Sequence, residues 1–437
     1  MANSTNTTTH SNKNPTNQGH FLTLSLLTSL FFMWGFITSL NDILIPHLKS
    51  VFTLSYTKAM LVQFCFFTAY FVVSLPSGYL VGKIGYKSGI VVGLLIAGTG
   101  CLLFYPAANF QSYPLFLGAF FVLASGISLL QVAANSYVIL LGNPETASSR
   151  LTLTQGFNSL GTTIAPYIGA LFIMATAVKT SDEINLLLPN ELLTYQTQQA
   201  TTVQYSYLVL AALLFLIALT FFLTRLPNVI TSIPPDSSTH HQAGLQLTQI
   251  SAWNYKHLKL GAIAIFVYVG GEVSIGSFLV SFLGQPEIAS LAEQEAGKYV
   301  SLYWGGAMVG RFLGTAIMQK ITPQTLLTFN AILAIVLIIS AMATSGSLAM
   351  WSLLGVGLFN SIMFPTIYSL ALNGLGECSA QGSGILCMAI VGGAIIPLMQ
   401  GLFADNIGIQ KALFLPMLCY LFVAYYGYWG SRFSLSE

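Results

Sequence analysis

From residue 21 to residue 432 the chain is a succession of apolar stretches, each about as long as a bilayer is thick. A helix needs about 20 mostly apolar residues to cross the hydrocarbon core. Stretches of that kind fall at 21–45, 58–81, 88–106, 112–141, 150–176, 203–226, 258–283, 296–320, 324–343, 346–373, 380–404 and 411–432. Charged residues are only 6 % of the 437, against about 25 % in soluble proteins, too few to cover a surface in contact with water. An ordinary cytosolic enzyme, a nucleic-acid binder and a disordered chain are thereby excluded. The pattern predicts an all-α membrane protein of twelve transmembrane helices. The formal net charge of +2 names no polyanionic partner. Five scattered cysteines and six histidines form no metal-ligand spacing and read as packing or solvated residues, His240 and His241 among the latter.

Connections between the stretches are short except at 177–202 and 227–257. The second lies at mid-chain and reads as a cytoplasmic linker. The expected organisation is a disordered cytoplasmic tail over 1–20, a six-helix half over 21–226, the linker over 227–257, and a second six-helix half over 258–432. Residues 1–20 lack the basic start and cleavage site of a signal peptide. Twelve crossings put both termini on one side. That side carries Lys13, Lys83, Lys87, Arg150, Arg225, Lys256, Lys259, Lys320 and Arg432, whereas the other has Lys49, Lys58, Lys179, Lys298 and Lys411. The excess of positive charge predicts cytoplasmic termini. Weak similarities recur in order in the two halves, such as Gly161-x4-Pro166 with Gly392-x4-Pro397. They point to a parallel duplication with a ligand site between the halves, near the midplane.

Three ionisable side chains sit well inside the apolar stretches: Asp42, Glu272 and Arg311. Each is costly against lipid and is expected to face a cavity or a partner. Trp34, Thr38, Asn41 and Asp42 share one face of the first helix. An indole, a hydroxyl, an amide and an acid together suit a sugar, which is bound by aromatic stacking and by groups that donate and accept hydrogen bonds. Gln131 with Asn135, and Gln155 with Asn158, form amide pairs on the fourth and fifth helices. Such amides either line a polar cavity or tie helices together. In the second half Tyr268 and Glu272 share a face, as do Asn360, Phe364 and Tyr368. Arg311 lies between Gly310 and Gly314, and a structural or gating role fits it better than ligand binding. Lys83 and Lys87 anchor the tight turn after the second helix. No nucleotide-binding loop is present, so any transport would draw on an ion gradient.

These residues resemble the major facilitator superfamily. The turn Gly78-Tyr-Leu-Val-Gly82-Lys-Ile-Gly85-Tyr-Lys87 is similar to that family's Gly-x-Leu-Ala-Asp-Arg-x-Gly-Arg-Lys motif, with Gly82 in place of the Asp. Within the superfamily the chain resembles the fucose/proton symporter family, and above all its glucose/galactose branch. That resemblance is carried by Leu40-Asn-Asp42-Ile-Leu-Ile-Pro46, Gln131-Val-Ala-Ala-Asn135, Gln155-Gly-Phe-Asn158-Ser-Leu-Gly161, Tyr268-Val-Gly-Gly-Glu272-Val-Ser-Ile-Gly and Phe364-Pro-Thr-Ile-Tyr-Ser-Leu370. It implies that Asp42 is the proton-linked acid and that Gln155 and Asn158 touch the sugar. Gln131 stands where fucose symporters have Glu, and Glu272 where they have Gln.

The expectation is a secondary active hexose transporter of the plasma membrane, by resemblance the bacterial inner membrane, and not an enzyme. It would need no cofactor, take up D-glucose or D-galactose with H+ or Na+ as coupling cation, and work as a monomer in the bilayer without a nucleic-acid partner. Alternatives are an L-fucose or N-acetylhexosamine symporter, a sugar sensor on the transporter fold, and a drug exporter, which the amide-rich cavity disfavours.

Overall fold

The computed structural model describes residues 22–39, 56–110, 112–173, 186–227 and 251–432, and every regular element among them is helical. In chain order they are α1 (Leu22–Ser39), α2 (Tyr56–Ile84), α3 (Tyr86–Asn109), α4 (Tyr113–Leu140), α5 (Ala147–Ile173), α6 (Pro189–Leu223), α7 (Lys256–Leu283), α8 (Glu293–Ile317), α9 (Pro323–Ala343), α10 (Gly346–Leu372), α11 (Gly376–Ile407) and α12 (Ile409–Gly430). The expected tail, the linker from 228 to 250, and Asn41 and Asp42 lie outside the described residues.

Ten of these helices are long and apolar enough to cross a membrane on length and composition. The other two, α5 and α8, have 27 and 25 residues but carry Thr, Ser and Gln, and in α8 several charges. They pack against each other in the middle of the molecule, where Ser148, Thr152, Thr154, Gln155 and Ser159 of α5 are buried. The outer helices show the reverse. Leu216, Leu219 and Phe222 of α6, and Phe329, Ile332 and Val336 of α9, are exposed, as a lipid-facing surface requires.

Within the first half, α3 packs on α4 and α6, and Phe104 stacks on Tyr207 with ring centroids 3.7 Å apart. In the second half, α7 packs on α11 and α12, and α9 on α12. Contacts of α2 with α11, α5 with α8 and α10, and α4 with α11 join the two. Small residues permit the α2–α11 approach. A Cβ on Gly78 would stand 2.7 Å from the Ala380 carbonyl oxygen, and one on Gly384 2.7 Å from that of Ser74.

Some boundaries depart from the sequence reading. The stretch 177–202 was expected to be a connection, but α6 begins at Pro189 and runs for 35 residues. Proline is preorganised for a first helical position, and the Glu191 carboxylate accepts from the Leu188 N–H at 3.2 Å. The Gln/Thr run that looked like a loop therefore continues a helix whose first turns exceed bilayer length.

Two crossings expected to be continuous are broken. Helix α10 divides into Gly346–Asn360 and Met363–Leu372. Pro365 lacks the N–H that Ser361 O would accept, and its ring crowds that carbonyl. Helix α11 tightens into a 3-10 turn at Ala389–Val391, ahead of Gly392, Gly393 and Pro397.

Candidate functional site between the halves

The site is built where α5, with α4 beside it, meets α8 and α10 of the second half, which α7 flanks. On α5, two residues one turn apart take part, Gln155 with its side chain inside the first half and Ser159 with its side chain across the interface. Gln155 Nε2 donates to Asn135 Oδ1 of α4 at 3.5 Å, and Ser159 Oγ accepts from the Arg311 guanidinium of α8. Arg311 Nη1 also donates to the Gln155 carbonyl at 3.4 Å, and its Nε to the Ser361 carbonyl at 3.2 Å. Arg311 thus touches α5 and the break in α10 at once. Next to these contacts, Phe157 meets Phe312 edge to face at 5.6 Å.

The second half contributes a cluster of tyrosines around an acid and an amide. The hydroxyl of Tyr268 donates to the Asn360 carbonyl at 2.9 Å. Asn360 Nδ2 donates to the Tyr303 hydroxyl at 2.7 Å, and that hydroxyl reaches the Glu272 carbonyl at 3.5 Å. Tyr268, Tyr303, Tyr420 and Arg311 are within electrostatic reach of the Glu272 carboxylate. Among the described residues, several polar atoms on these helices are buried without a hydrogen-bond partner: Asn135 Nδ2 and Ser136 Oγ on α4, Glu272 Oε1 and Ser274 Oγ on α7, and Asn360 Oδ1 on α10. An unpaired polar group away from water costs roughly 1–3 kcal/mol or more. The arrangement therefore suits a molecule that both donates and accepts hydrogen bonds.

The expected residues separate into groups. Gln155, Asn135, Glu272, Tyr268 and Asn360 belong to this connected region. Gln131 is buried one turn before Asn135 on α4. The amide of Asn158 turns away from Gln155 and donates through Nδ2 to the Phe31 carbonyl of α1 at 2.9 Å. Trp34 packs on Phe31 at 5.4 Å and lines a small apolar niche with Leu94, Leu123 and Ile217, so the structure does not bring it to the amides. Thr38 bonds to its own helix, at the Trp34 and Gly35 carbonyls. Phe364 packs against Tyr368 with tilted rings, centroids 5.6 Å apart. The Tyr368 hydroxyl is held by Ser383 Oγ and by Cys387 Sγ of α11. Ser383 in turn donates to the Val132 carbonyl of α4 at 2.8 Å. At the turn after α2, Lys83 sits over the Tyr79 ring at 4.4 Å. Lys87 Nζ caps the Phe222 carbonyl of α6 at 3.0 Å, and Gly85 takes φ 84° between the helices.

Tyr303, Ser159 and Ser361 were missed in the sequence, although the first two left a signal. Ser159 is one turn from Gln155, and Tyr303 two turns before Arg311 on the same face. Ser361 takes part through its backbone, which side-chain patterns do not show.

A bundle of twelve helices, with lipid-facing apolar sides and a buried polar region between two halves, defines a membrane transporter. The chain belongs to the Major Facilitator Superfamily, whose sequence profile matches residues 26–397. It is 56 % identical over 409 residues to a glucose/galactose transporter of Brucella abortus, covering 94 % of each chain. It is 32 % identical over 406 residues to the L-fucose-proton symporter of Escherichia coli, covering 92 % of each. Its fold superposes on a crystal structure of the transporter FucP in the outward conformation with a TM-score of 0.85 at 31 % identity, covering 95 % of this chain and all of that one. It is a multi-pass membrane transporter and not an enzyme.

Proposed function

We propose that the chain takes up an aldohexose, D-glucose or D-galactose, by proton symport. The observation that carries this reading is that Asn135 Nδ2 in the first half and Glu272 Oε1 and Asn360 Oδ1 in the second are buried with no hydrogen-bond partner among the described residues. One unpaired donor and two unpaired acceptors match a neutral polyol, whose hydroxyls donate and accept. The similarity to a glucose/galactose transporter supports the choice of hexose, and the similarity to a proton symporter supports the choice of cation.

In this reading Asp42 carries the proton, while Glu272, Gln131, Asn135, Gln155, Asn158, Tyr268 and Asn360 form the sugar site. Thr38 and Asn41, close to Asp42 in the sequence, complete that site. Phe364 and Tyr368 are the aromatic walls. Lys83 and Lys87 brace the turn after α2. The termini and the 227–257 linker between the halves lie in the cytoplasm, and the membrane is the bacterial inner membrane. Alternating access then moves the site from one side to the other. One proton entering with a neutral sugar carries net charge, so an inside-negative potential drives uptake by about 2.3 kcal/mol per 100 mV.

The test is counterflow of radiolabelled glucose, galactose, fucose and N-acetylglucosamine in proteoliposomes, followed by uptake under imposed pH and Na+ gradients. Exchange of glucose or galactose, with accumulation driven by an inward proton gradient, is expected. Exchange of fucose alone, or accumulation that follows Na+ and ignores pH, would overturn the corresponding half of the reading.

A further inference from the structure

The break in α10 leaves two consecutive carbonyls to be satisfied from outside the helix, and each is met by a different side chain. Asn360 O accepts from Tyr268 of α7 at 2.9 Å. Ser361 O, which Pro365 cannot serve, accepts from Arg311 Nε of α8 at 3.2 Å. Inside a membrane protein such broken backbone persists only where neighbouring groups satisfy it. The guanidinium that satisfies Ser361 O also grips α5 of the other half, through Ser159 Oγ and the Gln155 carbonyl. Its planar fork can hold both directions at once, which a lysine ammonium on a flexible stem does less well. Gly310 makes the approach possible, because a Cβ there would run into the Leu358 carbonyl and the Ser361 side chain.

We infer that Arg311 is a positioning residue coupling the conformation of α10 to the closure of the two halves. When α5 and α8 part, Arg311 loses its partners at Gln155 and Ser159. Its hold on Ser361 O is then no longer fixed from the far side, and the break in α10 becomes free to bend. Asn360 sits at that break and Tyr303 is bonded to it, so the bend reaches the surroundings of Glu272. The inference concerns the transport cycle and does not depend on which cargo the site takes.

Hydrogen–deuterium exchange of the full chain in lipid nanodiscs tests it, read on peptides covering 355–368. Arg311→Met removes both grips and is expected to speed exchange there about tenfold, the scale of one charge-assisted hydrogen bond. Ser159→Ala, on the opposite half and with no contact to α10 in its own side chain's bonding, is expected to speed the same peptides about threefold, a fraction of that bond. Thr163→Val, which alters the α5–α8 contact at Met308 without touching Arg311, is expected to leave them unchanged. Unchanged α10 exchange in Ser159→Ala would overturn the coupling even if Arg311→Met had a large effect, since Arg311 would then only cap a carbonyl. Equal acceleration by Thr163→Val would overturn it too, because any loosening of the interface would suffice. If Arg311→Met does not fold, the comparison of Ser159→Ala with Thr163→Val decides alone.

Discussion

In the first half, Gly161 of α5 lies against the Phe32 carbonyl of α1. In the second, Gly392 of α11 lies against the Phe266 carbonyl of α7. Each glycine is followed five residues later by proline, Pro166 and Pro397. The freed carbonyl ahead of Pro166, that of Thr162, accepts from Ser39 of α1 at 3.1 Å. The duplicated sequence motif thus corresponds to a duplicated helix contact. Beyond that contact the halves diverge. In the first, α4 and α5 are continuous, and their amides bond to one another or to α1. In the second, α10 and α11 are broken, and tyrosines and an arginine bond to the exposed backbone. A shared architecture has been given a rigid, amide-lined side and a jointed side carrying an acid.

That contrast is broken most decisively at the two acids. Asp42→Asn is expected to abolish proton-driven accumulation while sparing downhill exchange, measured by hexose uptake into vesicles with an imposed pH gradient. Glu272→Gln is expected to weaken hexose binding by about 1–3 kcal/mol, the cost of an unpaired group in a closed site, and to leave the response to the gradient intact. If Glu272→Gln loses the gradient response and keeps its affinity, the roles of the two halves are reversed.

The duplicated contact gives the next test. Gly161→Ala and Gly392→Ala each press a methyl into a backbone carbonyl, and each should lower stability by about 1–3 kcal/mol, seen as a drop in melting temperature in detergent. A change that is tolerated at 392 and costly at 161 would show that the jointed half yields where the rigid half does not.

Smaller effects separate the two amides of α5. Gln155→Ala should lower hexose affinity in calorimetry by about 1–2 kcal/mol through its link to Asn135. Asn158→Ala should lower stability by about 0.6 kcal/mol, a typical bond between membrane helices, with a smaller loss of affinity than at Gln155. Smallest of all, Trp34→Phe should change hexose affinity less than threefold, about 0.6 kcal/mol, because the indole lines an apolar niche. A tenfold loss there would restore Trp34 to the sugar site.

Much of the architecture was legible because lipid imposes a simple rule. Backbone groups in hydrocarbon must be satisfied within a helix, so a run of apolar residues of sufficient length can be counted as a crossing. The span at 203–226 agrees with the apolar part of α6, Val203–Leu223, whereas its polar turns from Pro189 carry no apolar signal to tell helix from connection. Asp42, Glu272 and Arg311 could be singled out because a charge in an apolar stretch is costly wherever it points. Gln155 and Asn158 part company in the structure. Both sit near one face of α5, but the angle between them is enough to send one to α4 and the other to α1.

By itself the sequence determined the all-helical membrane fold and its two similar halves. These follow from composition and from one-dimensional spacing along a helix. Only the tertiary structure decided which of the polar residues meet. It took Trp34 away from the amides, placed Arg311 between the halves, and joined Tyr303, Asn360 and Glu272 from three helices. It also turned Pro365 from a local irregularity into a freed Ser361 carbonyl within reach of α8. Such partners come from residues up to 156 positions apart in the chain, and which carbonyls and side chains face each other depends on the rotation and close approach of whole helices, which spacing along any one of them does not encode.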